Sequence, residues 1–176
     1  INNIKNFIGN YGVSLELVEN RFLNIKKNKI EHIIIDGSLG NSIILGKEIS
    51  NHSSNFSKFI GRLFINNKFD IVMNNSLIHH IDDINSFWKI LIRLIKDDGI
   101  ILCMDLKRPN DEIHLNKLLQ KYGGDNNTLK KDFENSLRAS YTIEEIKTQL
   151  AKINNISFAI KSVSDRHFFV SIKLKK

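Results

Sequence analysis

The chain has 176 residues, enough for one domain with a sizeable core, and its hydrophobic (41%) and charged (26%) fractions are those of an ordinary globular protein. A single cysteine, Cys103, excludes an internal disulfide and a cysteine-based zinc site, and no apolar run approaches the roughly 18–20 residues of a membrane-spanning helix. The net charge of +7 permits anionic partners, nucleic acid among them, but the basic residues sit in small clusters such as Lys26-Lys27-Lys29 and Lys130-Lys131. No basic stripe interleaves with aromatics as single-strand binding requires. No leader pattern opens the chain, so a cytoplasmic location is expected. Residue 1 is Ile, which leaves room for a missing N-terminal helical segment.

Residues 3–8 read as an opening strand, followed by a loop at Gly9-Asn10-Tyr11-Gly12. Leu15, Val18, Phe22 and Ile25 then recur on one face of a helix. His32-Ile33-Ile34-Ile35-Asp36 is a continuous apolar run ending in an acid, as a buried parallel strand would be. The pattern allows a second helix over 39–50 and short strands at 57–60 and 69–73. Asp83 is placed to cap a helix carrying Ile84, Phe87, Trp88, Leu91 and Ile95, which Asp98-Gly99 ends before the strand Ile100 to Met104. After Pro109 come helices over 111–122, 129–139 and 142–153, the last with Thr142 and Glu145 at capping-box spacing. Residues 156–164 and 167–175 close the chain as two strands whose link is too short for a crossover, so they should be antiparallel. Alternating strands and helices predict right-handed βαβ units and a mainly parallel sheet within one domain, residues 1–176.

The stretch from Phe69 through Asn74-Asn75-Ser76 to His79-His80-Ile81 resembles the fourth-strand motif of class I methyltransferases. It continues as that family does, through Asp82-Asp83, Phe87-Trp88 and Lys96-Asp97-Asp98-Gly99 to a strand ending Met104-Asp105-Leu106. The resemblance implies a three-layer α/β sandwich with a mainly parallel seven-stranded sheet and an antiparallel C-terminal strand. It also implies S-adenosylmethionine as methyl donor, S-adenosylhomocysteine as product, and no metal. By the same likeness, Asp36 followed by Gly37 matches the second-strand end whose carboxylate holds ribose hydroxyls, and Ile8, Gly9, Asn10 and Gly12 occupy the glycine loop. Asn74, Asn75 and Ser76 would lie where donor and acceptor meet, and Arg62 would lie near adenine.

The donor positions depart from the family pattern in two places. Aligned on Gly12, Ile8 and Asn10 replace glycines and Asn6 an acid, while alignment on Gly9 leaves the loop one residue short. Side chains there hinder positive φ and close backbone approach. Arg62 follows Gly61 where the family has an acid, and a guanidinium cannot accept a hydrogen bond. Asp36 can equally be a strand-end acid, and Arg62 a solvated surface group. His80 is a candidate for proton transfer, with packing or capping as its other role. Asp105 to Pro109 together with Phe133, Asn135, Arg138 and Tyr141 can form an acceptor pocket, or Phe133 and Tyr141 can anchor helices. The expected activity is methyl transfer to a small-molecule acceptor, a largely positional reaction. The rival is a catalytically inactive methyltransferase-like scaffold or partner-binding protein. A nicotinamide dehydrogenase is disfavoured because Gly-x-Gly-x-x-Gly is absent.

Overall fold

The computed structural model describes residues 68–175 in full and the backbone alone of 32–36, 41–44 and 47–50. Contacts divide the chain into two compact units, residues 1–30 and 31–176, and all the described residues belong to the second. The expected strands at 3–8 and 57–60 and the helix over 15–25 lie outside them.

Strand β1 (His32–Asp36) pairs in parallel with β4 (Phe69–Asn75), and β4 with β5 (Ile95–Leu106). The closing strands β6 (Ile156–Ser162) and β7 (His167–Leu174) complete the order β1-β4-β5-β7-β6. β7 is antiparallel to both of its neighbours, as the short link predicted. Where seven strands were expected, the described residues place five in this sheet. A separate two-stranded sheet joins β2 (Asn41–Ile44) and β3 (Lys47–Ser50) antiparallel. The helix expected over 39–50 is therefore a hairpin. The β-branched Ile43, Ile44 and Ile49 favour extended backbone, and the two-residue link Leu45-Gly46 is short enough for a tight turn.

Helix α1 (Ile84–Leu94) forms because Ile84, Phe87, Trp88, Leu91 and Leu94 share one face, all buried, and because the Asp83 carboxylate accepts from Ser86 N–H at its start (3.0 Å). It ends four residues earlier than Asp98-Gly99 suggested. Ile95 is fully buried and already pairs with Phe69, and Lys96 to Gly99 then loop out before Ile100 meets Ile71. Lys96 Nζ reaches across to the buried Asp70 carboxylate (3.1 Å). Gly99 is required at this step, since a Cβ there would stand 2.8 Å from the Asp70 carbonyl oxygen.

α1 packs on one face of the sheet with α4 (Ile143–Leu150), whose capping box at Thr142 and Glu145 forms as its spacing predicted. Their shared core holds Phe87, Trp88, Leu91, Ile146 and Leu150 against Val72, Ile101, Phe168 and Val170. Burying each such side chain contributes about 1.5–3 kcal/mol. Helices α2 (Glu112–Tyr122) and α3 (Asn127–Ala139) form a second cluster, with Leu115, Leu118, Leu119 and Leu137 around Leu106 at the end of β5. They therefore stand at the carboxyl end of the parallel strands.

Candidate active site

All three parallel strands finish at one edge. Asp36 stands in register with Asn75, and Asn75 in turn with Met104. β1 and β4 are neighbours although, among the described residues, two strands separate them in sequence. In doubly wound sheets such jumps accompany the crevices that take ligands at the carboxyl ends of strands. Asn74 and Asn75 are buried there, and Asn74 Nδ2 donates to Cys103 Sγ (2.8 Å) while Asn74 Oδ1 has no partner. Burial keeps the Cys103 thiol protonated by pushing its pKa far up.

Ser76 turns the chain off β4. Its φ of +48° lies in the left-handed region, and its N–H donates to the Met104 carbonyl (3.0 Å). A non-glycine residue held there stores strain that the neighbouring pairing must offset. The turn delivers a short 3-10 helix, Ile78–His80.

Asp105 organises this corner. Its carboxylate, only 1% exposed, accepts from Leu77 N–H (2.7 Å), Ile78 N–H (2.5 Å) and its own neighbour Leu106 N–H (2.7 Å). It also binds His79 Nδ1 at 2.5 Å. One carboxylate thus ties the end of β5 to the turn after β4 and orients an imidazole. His79 Nε2 has no partner among the described residues.

A cavity of about 310 Å³ opens beside this pair, lined by Ser76, His79, His80, Leu106, Phe133, Ser136, Arg166 and His167. His80 is the more exposed of the two adjacent histidines, its ring centroid 4.0 Å from that of His79. Partial burial, and then the His79 ring, hold its pKa below 6.5. Burial, with Arg166 adding to it, pushes His167 down to about 4, and its Nδ1 lies 3.0 Å from Ser164 Oγ. The Arg166 guanidinium stacks over Tyr122 at 3.5 Å. Among the described residues no three His, Cys, Asp or Glu side chains gather so as to hold a metal ion.

The expected site residues separate accordingly. Asn74, Asn75 and Ser76 lie together at the carboxyl edge, His80 and Phe133 line the cavity, and the backbone of Asp36 borders Asn75. Ile8, Gly9, Asn10, Gly12, Gly37 and Arg62 lie outside the described residues. Arg138 is held on the surface by Glu112 (2.6 and 2.8 Å) and Glu134 (2.9 Å) instead of entering the acceptor pocket. Tyr141 donates to the Ile81 carbonyl (3.2 Å) and Arg108 binds Glu145, so both serve packing. Ser136, Arg166 and His167 went unnoticed because each is polar and carries no motif; only the return of β7 beside β5 brings Arg166 and His167 to this edge.

A family model described as a methyltransferase domain matches residues 51–103, the segment that contains β4, α1 and most of β5. Over that segment the chain is similar to methyltransferase domains. Its fold is also that of the plantazolicin methyltransferase BpumL, solved with a triazolic desmethylPZN analogue and SAH, at 9% identity and a TM-score of 0.62. That match covers 91% of this chain and 82% of the other. The plantazolicin methyltransferase BamL, also solved with SAH, is similar at 19% identity and a TM-score of 0.60, covering 94% of this chain and 75% of its own. No curated protein matches the chain in sequence. Among the described residues, no helix is long and apolar enough to cross a membrane.

Proposed function

We propose that this chain moves a methyl group from S-adenosylmethionine to a small-molecule acceptor. The observation that carries the reading is the continuity of the carboxyl edge. Asp36 and Asn75 border the β1–β4 end, and the next residue, Ser76, lines the cavity. Two reactants held on either side of one short turn meet the main demand of such a reaction, which is position.

The residues at this edge suit an S-adenosyl donor. A carboxylate at the end of β1, whose backbone is in register with Asn75, can accept two ribose hydroxyls. β1 directly neighbours β4, and Gly37 and Gly40 follow it in the sequence, which adds them to Gly9 and Gly12 as candidates for the glycine turn. The bound donor supplies an activated methyl group; the chain supplies orientation, a dry corner and a place for the acceptor's proton.

Thermal unfolding with and without ligand tests it. S-adenosylhomocysteine at 100 times its dissociation constant should add about 2.7 kcal/mol, or roughly 5–10 °C for a domain of this size. Asp36→Ala should abolish the rise. Failure of both S-adenosylmethionine and S-adenosylhomocysteine to raise the melting temperature at millimolar concentration would leave an inactive scaffold as the surviving reading.

A further inference from the structure

We propose that Arg166 and His167 form an oxyanion-binding pair that selects an acceptor carrying a carboxylate or phosphate group. The inference rests on the methyltransferase reading above for the cavity's role, and adds the chemical class of what fills it.

The hydrogen bonds around Ser164 fix what His167 presents. Ser164 Oγ accepts from the backbone N–H groups of Arg166 (3.2 Å) and His167 (3.0 Å), which occupies both of its lone pairs. Its one proton is left for His167 Nδ1, 3.0 Å away. Nδ1 is therefore the acceptor of that bond, and in the neutral ring Nε2 carries the hydrogen. Burial, and then the Arg166 charge, keep this ring neutral down to about pH 4. His167 thus offers an Nε2–H donor that has no acceptor among the described residues. A half-buried donor without a partner calls for an acceptor from outside the chain.

The adjacent guanidinium is held in place but not neutralised. Arg166 stacks over the Tyr122 ring at 3.5 Å, and its one carboxylate contact among the described residues is Asp165, at 3.7 Å. The Asp165 carboxylate is itself taken up by Lys121 Nζ (2.9 Å) and the Tyr122 hydroxyl (2.9 Å). Stacking sets the plane of the fork and leaves its edge N–H groups able to meet two oxygens at once. Arg166 and His167 both line the cavity, and no residue of that lining is acidic. Asp105, behind His79, already accepts four hydrogen bonds. The wall therefore presents a cation and donors, and it lacks the carboxylate that a cationic acceptor would need. At about 310 Å³ the cavity has room for a small molecule whose oxyanion lies on this pair.

The test titrates the full chain with benzoate, inorganic phosphate and benzamide, the last a neutral analogue of benzoate, while imidazole proton and nitrogen-15 signals are followed. Saturable movement of the His167 signals by benzoate or by phosphate supports the pair, and the tighter of the two names the group that it takes. Benzamide should bind at least about tenfold more weakly than benzoate, since a hydrogen-bonded charge is lost. Arg166→Gln should weaken the anion by a similar factor. Lys147→Gln removes the same charge from an exposed site on α4 and should change binding by less than about twofold. Equal binding of benzoate and benzamide, or equal effects of the two substitutions, would overturn the inference. Wild-type spectra near neutral pH serve even where Arg166→Gln fails to fold. They should show His167 protonated on Nε2 and bare on Nδ1, and the opposite tautomer overturns the pair. The melting-temperature rise with S-adenosylhomocysteine, taken on the same sample, separates the failures. With the rise present, absence of saturable binding by either anion overturns this inference and leaves donor binding standing. With the rise absent, anion binding keeps the oxyanion pair, while the acceptor role falls with the methyltransferase reading.

Discussion

Replacing Asp105 by alanine should cost more stability than any other polar substitution at this edge. The carboxylate accepts four hydrogen bonds, from Leu77, Ile78 and Leu106 N–H and from His79 Nδ1, in a place where it is 1% exposed. Leu77 and Ile78 are themselves buried at 2% and 0%, so water has little access to the orphaned N–H groups. A buried donor left without a partner costs about 1–3 kcal/mol. Three backbone donors give roughly 3–9 kcal/mol by that rule, and relaxation of the 3-10 turn toward solvent pulls the value toward the lower half. We expect about 4–5 kcal/mol, a large share of the 5–15 kcal/mol that typical domains possess. Urea unfolding followed by circular dichroism, with an unchanged m-value, is the measurement. A loss under about 1.5 kcal/mol would mean that these donors find other partners and that Asp105 is not the organiser described.

Three further outcomes follow from separate parts of the molecule. Gly99→Ala should destabilise by about 2–3 kcal/mol in the same urea assay, because its Cβ would meet the Asp70 and Phe69 carbonyl oxygens at 2.8 and 3.0 Å, both backbone atoms that cannot swing aside. Stability should fall as pH drops from 6.5 toward 4, since His167 stays neutral when folded but protonates near its ordinary value when unfolded; the effect is at most about 3 kcal/mol, and His167→Gln should flatten that part of the profile. Arg166 opposes protonation there while Asp105 and Asp165 favour it, so a slope of the opposite sign would refute the assignment. Trp88 is the sole tryptophan, fully buried beside Phe87, so its emission should be blue-shifted in the folded chain and move red in one step on denaturation; Trp88→Ala should cost about 3–5 kcal/mol by circular dichroism.

The described fold was largely legible in the sequence wherever one face of an element is buried against the sheet. α1 follows from the spacing of Ile84, Phe87, Trp88 and Leu91, and β7 from the apolar Phe168, Phe169, Val170 and Ile172, because burial imposes a period that local residues must obey. The segment 39–50 permits a helix because its only apolar run, Ile43-Ile44-Leu45, is too short to fix a period, and strand pairing makes it the hairpin β2–β3. The early end of α1 was hidden for a similar reason. Asp-Gly marks a turn, but here the turn is a loop within a strand that Ile95 has already begun.

The candidate site was only half legible, and two acids show why. Asp36 and Asp105 carry the same local signature, a carboxylate ending an apolar strand, and nothing in either neighbourhood separates a ligand-binding acid from a structural one. For Asp105 the partners do, since it is consumed by the turn that follows β4; for Asp36 the backbone register with Asn75 gives its place at the carboxyl edge, and its ligand role belongs to the proposal. The same holds for the two adjacent histidines. A 3-10 turn directs successive side chains apart, so one residue's difference sends His79 onto a buried carboxylate and His80 toward solvent. The histidine pair was visible as a motif, but which member is tied to a carboxylate depends on Asp105, 26 residues further along the chain.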